Sequence, residues 1–182
     1  MYVNYYARMK NKFINNEFWT LTFGAAFQRA NVYKENVSDS DKKIFKTKTR
    51  EYIENILVQE YYKHSISDEI HIENIYKLSL FTGQFQSILQ NGKLNFGVSQ
   101  KMLNLYLKYL WCNDKISEPP HFPVDRRIQE NIGFKPVVSW TRFENSLDYM
   151  RIIHFTRKIN NEFPSIAEFE LKYFERRVKT EN

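Results

Sequence analysis

Leu94-Asn95-Phe96-Gly97-Val98-Ser99-Gln100-Lys101 is a short polar turn that runs without a break into Met102, Leu103, Leu105, Tyr106, Tyr109 and Leu110. Those apolar residues recur at helical intervals, so the spacing predicts a helix from near Val98 to about Trp111. Upstream, Phe81, Phe85, Ile88 and Leu89 predict a helix over 82–91 that stops at Asn91-Gly92, because glycine accepts the left-handed conformation of a helix C-terminus. A hairpin of two helices joined through Lys93 to Gly97 follows, and that reading decides the fold class.

The same signals extend outward. Ser38 and Ser40 are candidate N-caps, with Asp39 and Asp41 suited to a first turn. Ile44, Phe45, Tyr52, Ile53, Ile56, Leu57 and Tyr61 then predict an amphipathic helix over roughly 40–63. Ser67-Asp68 opens a further helix over 68–80, with Ile72, Ile75 and Leu78 or Ser79 on one side. Pro119, Pro120 and Pro123 exclude helix from 113 to 123 and predict an extended loop. A short helix from Asp125 to Ile132 ends at Gly133. Thr141 with Glu144, and Ser165 with Glu168, have the spacing of capping boxes for the last two helices. Residues 1–36 suggest one or two short helices in an N-terminal lobe. No segment alternates with the two-residue period of a strand, so the class is all-α.

The chain has 182 residues, 42% of them hydrophobic and 16% aromatic, enough for one ordered domain over 1–182 with a real core. Its net charge of +6 favours a polyanionic partner, because lysines and arginines that neutralise phosphates release condensed counterions. The single cysteine, Cys112, excludes an intramolecular disulfide and a cysteine-cluster zinc site, and His121 and His154 lack partners at metal-ligand spacing. Neither a targeting signal nor a membrane span is expected, which makes the cytoplasm the natural setting and the nucleoid the expected location.

The chemistry concentrates in 82–133. A hairpin at Lys93, Asn95, Gly97, Ser99 and Gln100 would point backbone amides and the positive end of the following helix at a phosphate, with Gly97 permitting close approach and Ser99 capping the helix. Gly97-Val98-Ser99-Gln100-Lys101, followed after the proline loop by Pro123-Val124-Asp125, resembles the helix-hairpin-helix DNA glycosylases, in particular the 8-oxoguanine branch. That family writes its hairpin as glycine, hydrophobic residue, glycine, any residue, lysine, and places its essential aspartate in a Pro-Val-Asp segment. The resemblance implies that Lys101 is the nucleophile and Asp125 the essential acid of a bifunctional glycosylase and AP lyase acting on double-stranded DNA as a monomer. It implies no cofactor beyond a monovalent cation at the hairpin.

Other roles stand beside these. Lys101 also suits a solvated first helical turn, and Asp125 suits an N-cap, which does not exclude catalysis. Arg126 and Arg127 can contact phosphates or sit on a wet helix face, and Trp140 can stack on an extruded base or act as a hydrophobic staple. The run Arg176-Arg177-Val178-Lys179 reads as a solvated helix end. Two competing functions remain: a DNA-binding module that has lost excision, and a helical adaptor for a protein partner.

Overall fold

In the computed structural model the described residues are 2–62 and 65–174, without the side chains of residues 2–5. They are all-α: α1 (Tyr2–Phe27), α2 (Asp39–Tyr52), α3 (Asp68–Thr82), α4 (Phe96–Trp111), α5 (Arg126–Asn131), α6 (Ser146–Ile159) and α7 (Ile166–Tyr173). Each helix from α2 onward begins with a side-chain oxygen that takes up one of the backbone N–H groups a first turn leaves without a partner. Ser38, Ser67 and Ser165 do so as their sequence context predicts. The run Arg176-Arg177-Val178-Lys179 lies outside the described residues.

α4 is the axis of the molecule. Every residue from Phe96 to Lys108 is buried, and so is Leu110, so the helix is enclosed on all sides and not on the one apolar face its spacing suggests. α1 lies against it, stacking Trp19 on Tyr106 at 4.2 Å and Phe18 on Tyr109 at 5.2 Å between ring centres. Glu54 ties three elements together, its Oε1 accepting from Trp19 Nε1 (2.7 Å), Asn15 Nδ2 (2.7 Å), Arg50 Nε (3.1 Å) and the Tyr106 hydroxyl (3.2 Å). One apolar cluster runs from Trp19 to Phe169.

Several expectations are corrected. Residues 1–36 do not form short helices in a separate lobe: α1 is a single 26-residue helix whose Trp19, Phe23 and Ala26 belong to the common core. The helix expected over 40–63 is α-helical only to Tyr52, then continues as a π turn (Ile53–Leu57) and a 3-10 turn (Val58–Tyr61). The helix expected over 82–91 is replaced by a 3-10 turn (Gly83–Phe85) and further turns. There Ile88 O accepts from Lys34 N (3.0 Å), and Gln90 N donates to Val32 O (2.9 Å), so the backbone is satisfied across the chain instead of along a helix. Thr141 and Glu144 form no capping box: Trp140–Arg142 is a 3-10 turn, and α6 starts at Ser146 under an Asn145 cap. α4 starts earlier than expected, capped by Asn95 and not by Ser99.

Gly97 marks the tightest packing. A Cβ there would stand 1.7 Å from the Trp140 carbonyl oxygen, whereas one on Gly24 would meet nothing within 4 Å. Gly97→Ala should therefore lower stability by about 3 kcal/mol or more, while Gly24→Ala should raise it by up to about 1 kcal/mol through helix propensity. Urea denaturation of the two variants checks this, and equal midpoints would refute the close approach.

Candidate active site

Lys101 and Asp125 come from different elements and meet, with Lys101 Nζ 2.7 Å from Asp125 Oδ2. The lysine side chain is 8% exposed and the aspartate 32%. Asp125 also caps α5, its Oδ1 accepting from Ile128 N at 2.9 Å, so one carboxylate both holds the ammonium and starts a helix. Burial alone would raise the Asp125 pKa. The Lys101 ammonium and the N–H groups of Ile128 and Arg127 outweigh it and hold the carboxyl below its ordinary range.

The residues just before this pair bring it together. Gln100 Nε2 donates to Val124 O (2.7 Å), and Gln100 Oε1 accepts from Val124 N (3.2 Å), so the amide grips one residue of the proline loop from both sides. Asn104, one turn on, donates to Phe122 O at 3.0 Å. A second buried amide repeats the device: Gln129 Nε2 donates to Val138 O (2.9 Å), and its Oε1 accepts from Val138 N (2.8 Å). The path then returns to the start of α4, where Gly97 N donates to Phe143 O (2.9 Å) and Asn95 Nδ2 to Thr141 O (2.7 Å).

A buried polar chain continues behind the loop. Asn104 Nδ2 donates to the Tyr149 hydroxyl (2.9 Å), which lies 2.9 Å from His121 Nδ1, and His121 Nε2 lies 3.1 Å from Asp68 Oδ1. A carboxylate can only accept, so the ring donates from Nε2 and accepts from Tyr149 at Nδ1. Burial pushes the His121 pKa down, which suits that neutral ring. Arg157 grips Asp68 with both terminal nitrogens, at 2.5 and 2.7 Å, and their hydrogen bonds hold its carboxyl far below the usual range.

The Lys101–Asp125 pair opens onto a cleft of about 1090 Å³. α1 forms one wall through Leu21, Gly24 and Ala25; Leu105, Arg126, Arg127 and Trp140 line the other side. Arg126 is exposed and hydrogen-bonds Glu130 at 2.7 Å. Trp140 is only 4% exposed, and its place in a 3-10 turn six residues before α6 removes the staple role. Deeper along α4, Lys108 and Glu170 form a second buried pair beneath the Phe174 ring.

The structure corrects part of the hairpin reading. Lys93 is exposed and Asn95 half-buried, but Gly97 is buried and Ser99 and Gln100 are fully so, which removes them from any surface that could meet DNA. The Gly97 amide is spent on Phe143, and that glycine serves packing instead of ligand approach. In the turn, the Leu94 carbonyl accepts from Ser79 Oγ and the Asn95 carbonyl from Ser99 N. Sequence reading missed Gln100 as a clamp, Gln129 and Asn104, since no local pattern marks which distant backbone groups such an amide satisfies. Among the described residues no group of three or more His, Cys, Asp or Glu could hold a metal, and no helix is long and apolar enough to cross a membrane. Comparison of the chain with models of known families, with curated proteins and with solved structures finds no match.

Gln100→Met keeps the volume but leaves both backbone groups of Val124 buried without partners, which should cost about 2–4 kcal/mol; a loss under about 0.5 kcal/mol in urea denaturation would discard the clamp. Asp125 supplies a pH test. With its folded pKa lowered, its charge stabilises the fold above about pH 4, and that contribution is lost as pH falls through the lowered value. Carboxyl-carbon NMR should place its midpoint below 3.8. In Lys101→Met the ammonium's contribution is gone and the midpoint should rise, whereas an unmoved midpoint would contradict the pairing.

Proposed function

We propose that the chain is a DNA glycosylase with AP lyase activity that excises an oxidised or otherwise modified base, of the 8-oxoguanine type, from double-stranded DNA. The observation that carries this reading is the 2.7 Å contact between a buried lysine and a helix-capping aspartate on the floor of an open cleft. The order of Lys101 and Pro123-Val124-Asp125 along the chain, and the net charge of +6, support it further.

The chemistry uses this chain's groups as follows. A nucleotide turned out of the stack enters the cleft with its C1′ toward the pair. As the C1′–N bond breaks, the base keeps the electron pair and takes a proton, while the Asp125 carboxylate faces the positive charge left on the sugar. Lys101 attacks only as a neutral amine, and the proton it gives up is the one the departing base takes, so Asp125 stays ionised. Nζ bonds to C1′; opening of the sugar ring with loss of the second amine proton leaves a Schiff base. Removal of a C2′ proton then expels the 3′-phosphate and nicks the strand.

A second reading rests on the low exposure of Lys101: the pair is a structural tie in a DNA-binding protein that does not excise. One experiment separates the two. Duplexes carrying 8-oxoguanine, uracil or an abasic site are incubated with the protein and borohydride. The expected result is a covalent complex with at least one of them, absent in Lys101→Ala and reduced on the order of a hundredfold or more in Asp125→Asn. Gly24→Leu, which fills open cleft space without meeting protein atoms at its Cβ, should also suppress trapping while retaining the fold. No complex and no strand cleavage with any substrate defeats excision, and retained salt-sensitive binding then supports the module. No binding to DNA even at low salt favours the protein adaptor.

A further inference from the structure

A second hollow, of about 310 Å³, lies between the C-terminal end of α1 and the start of α4. Arg29, Asn31, Gln90, Lys93, Asn95 and Thr141 are among the residues that line it, and no carboxylate does. The pairing of 32–34 with 88–90, through Lys34 N to Ile88 O, Gln90 N to Val32 O and the Tyr33–Leu89 bridge, fixes Arg29 and Lys93 around one space although they are far apart in sequence. Many cations of this chain have a carboxylate partner: Lys42, Lys48, Lys77, Arg126, Arg151, Arg157 and Lys172 all do. Arg29 and Lys93 have none among the described residues, and both are exposed. Arg29 also lines the large cleft, so the two hollows adjoin along its side chain and lead from Lys93 to the Lys101–Asp125 pair.

We infer that Arg29 and Lys93 seat a phosphodiester of the DNA strand beside the nucleotide that enters the cleft, an inference that rests on the DNA reading above. The guanidinium offers a planar fork matched to phosphate oxygens, the ammonium adds a mobile point charge, and the side-chain amides of Asn31 and Gln90 supply neutral donors. The first turn of α4 leaves this work to side chains. Its Gly97 N–H is bonded to Phe143 O and its Val98 N–H to Asn95 Oδ1. Continuity with the reaction cleft favours a polymer with successive phosphates over a free phosphate ion.

The test is an anisotropy titration of a duplex with a central tetrahydrofuran abasic analogue, between about 50 and 200 mM salt. The parent is compared with Arg29→Gln, Lys93→Gln and the double variant, and with Lys115→Gln, which removes one charge beyond the opposite end of α4. The slope of log K against log salt should become shallower by about 1 in each single variant and about 2 in the double. Lys115→Gln should keep the parental slope. Inorganic phosphate at the same ionic strength should compete no better than sulfate. Parental slopes in the double variant, or an equal change in Lys115→Gln, overturn the seat; if the parent still traps abasic DNA with borohydride, excision survives that failure. Shallower slopes without any trapping support the seat and overturn excision. A parent that binds no duplex at the lowest salt overturns both.

Discussion

The site depends on two glutamines that each grip a valine. A primary amide presents one donor and one acceptor side by side, which matches the N–H and C=O of a single extended residue. Loops that lack a strand partner otherwise have to leave such groups to water or bury them unsatisfied. Gln100 meets this need for Val124 and Gln129 for Val138, and both glutamines are fully buried. Lys101 follows the first glutamine and Asp125 follows the first valine, so the clamp sets the position of the ion pair at a distance of one residue. The hydrogen bonds then close a circuit from α4 through the proline loop, α5 and the 140–143 turn back to Gly97.

Burying charge on this scale needs local compensation. Lys101 and Lys108 lie two turns apart on α4, and each has its own carboxylate, Asp125 or Glu170, supplied by a different helix or its cap. An isolated ammonium in such surroundings would cost several kcal/mol. Pairing allows α4 to remain enclosed along nearly its whole length while still placing an ammonium at the base of a cleft.

What could be read in the sequence was what depends on neighbours in the chain. The caps at Ser38, Ser67 and Ser165, the left-handed glycines at 92 and 133, and the proline loop all act within a few residues of themselves, and the structure has them. The meeting of Lys101 with Asp125 was legible only through the order of two short motifs. The rest turned on distant partners. Residues 82–91 have helical spacing, yet their backbone bonds to 32–34. Gly97 was marked by its missing Cβ, but the atom that needs the space is the Trp140 carbonyl and not a phosphate. Gln100 looked like a polar surface residue because nothing local discloses that Val124 needs both its backbone groups satisfied. α1 read as broken because its aromatics face partners on α2, α4 and the 30–34 segment, so no single helical stripe stands out.

The closed circuit has a mechanical consequence. The floor and one wall of the cleft are laced by directional hydrogen bonds with buried partners, so they resist being drawn apart. The opposite wall, α1, is anchored mid-length by Asn15 and Trp19 on Glu54, and at its C-terminal end by Phe27, whose ring meets Tyr33 and Phe45. Stacked rings slide past one another more readily than paired amides separate. Stiffness is thus differently sourced on the two sides: directional hydrogen bonds between buried groups hold the floor, while packed rings and the Glu54 cluster hold the α1 wall.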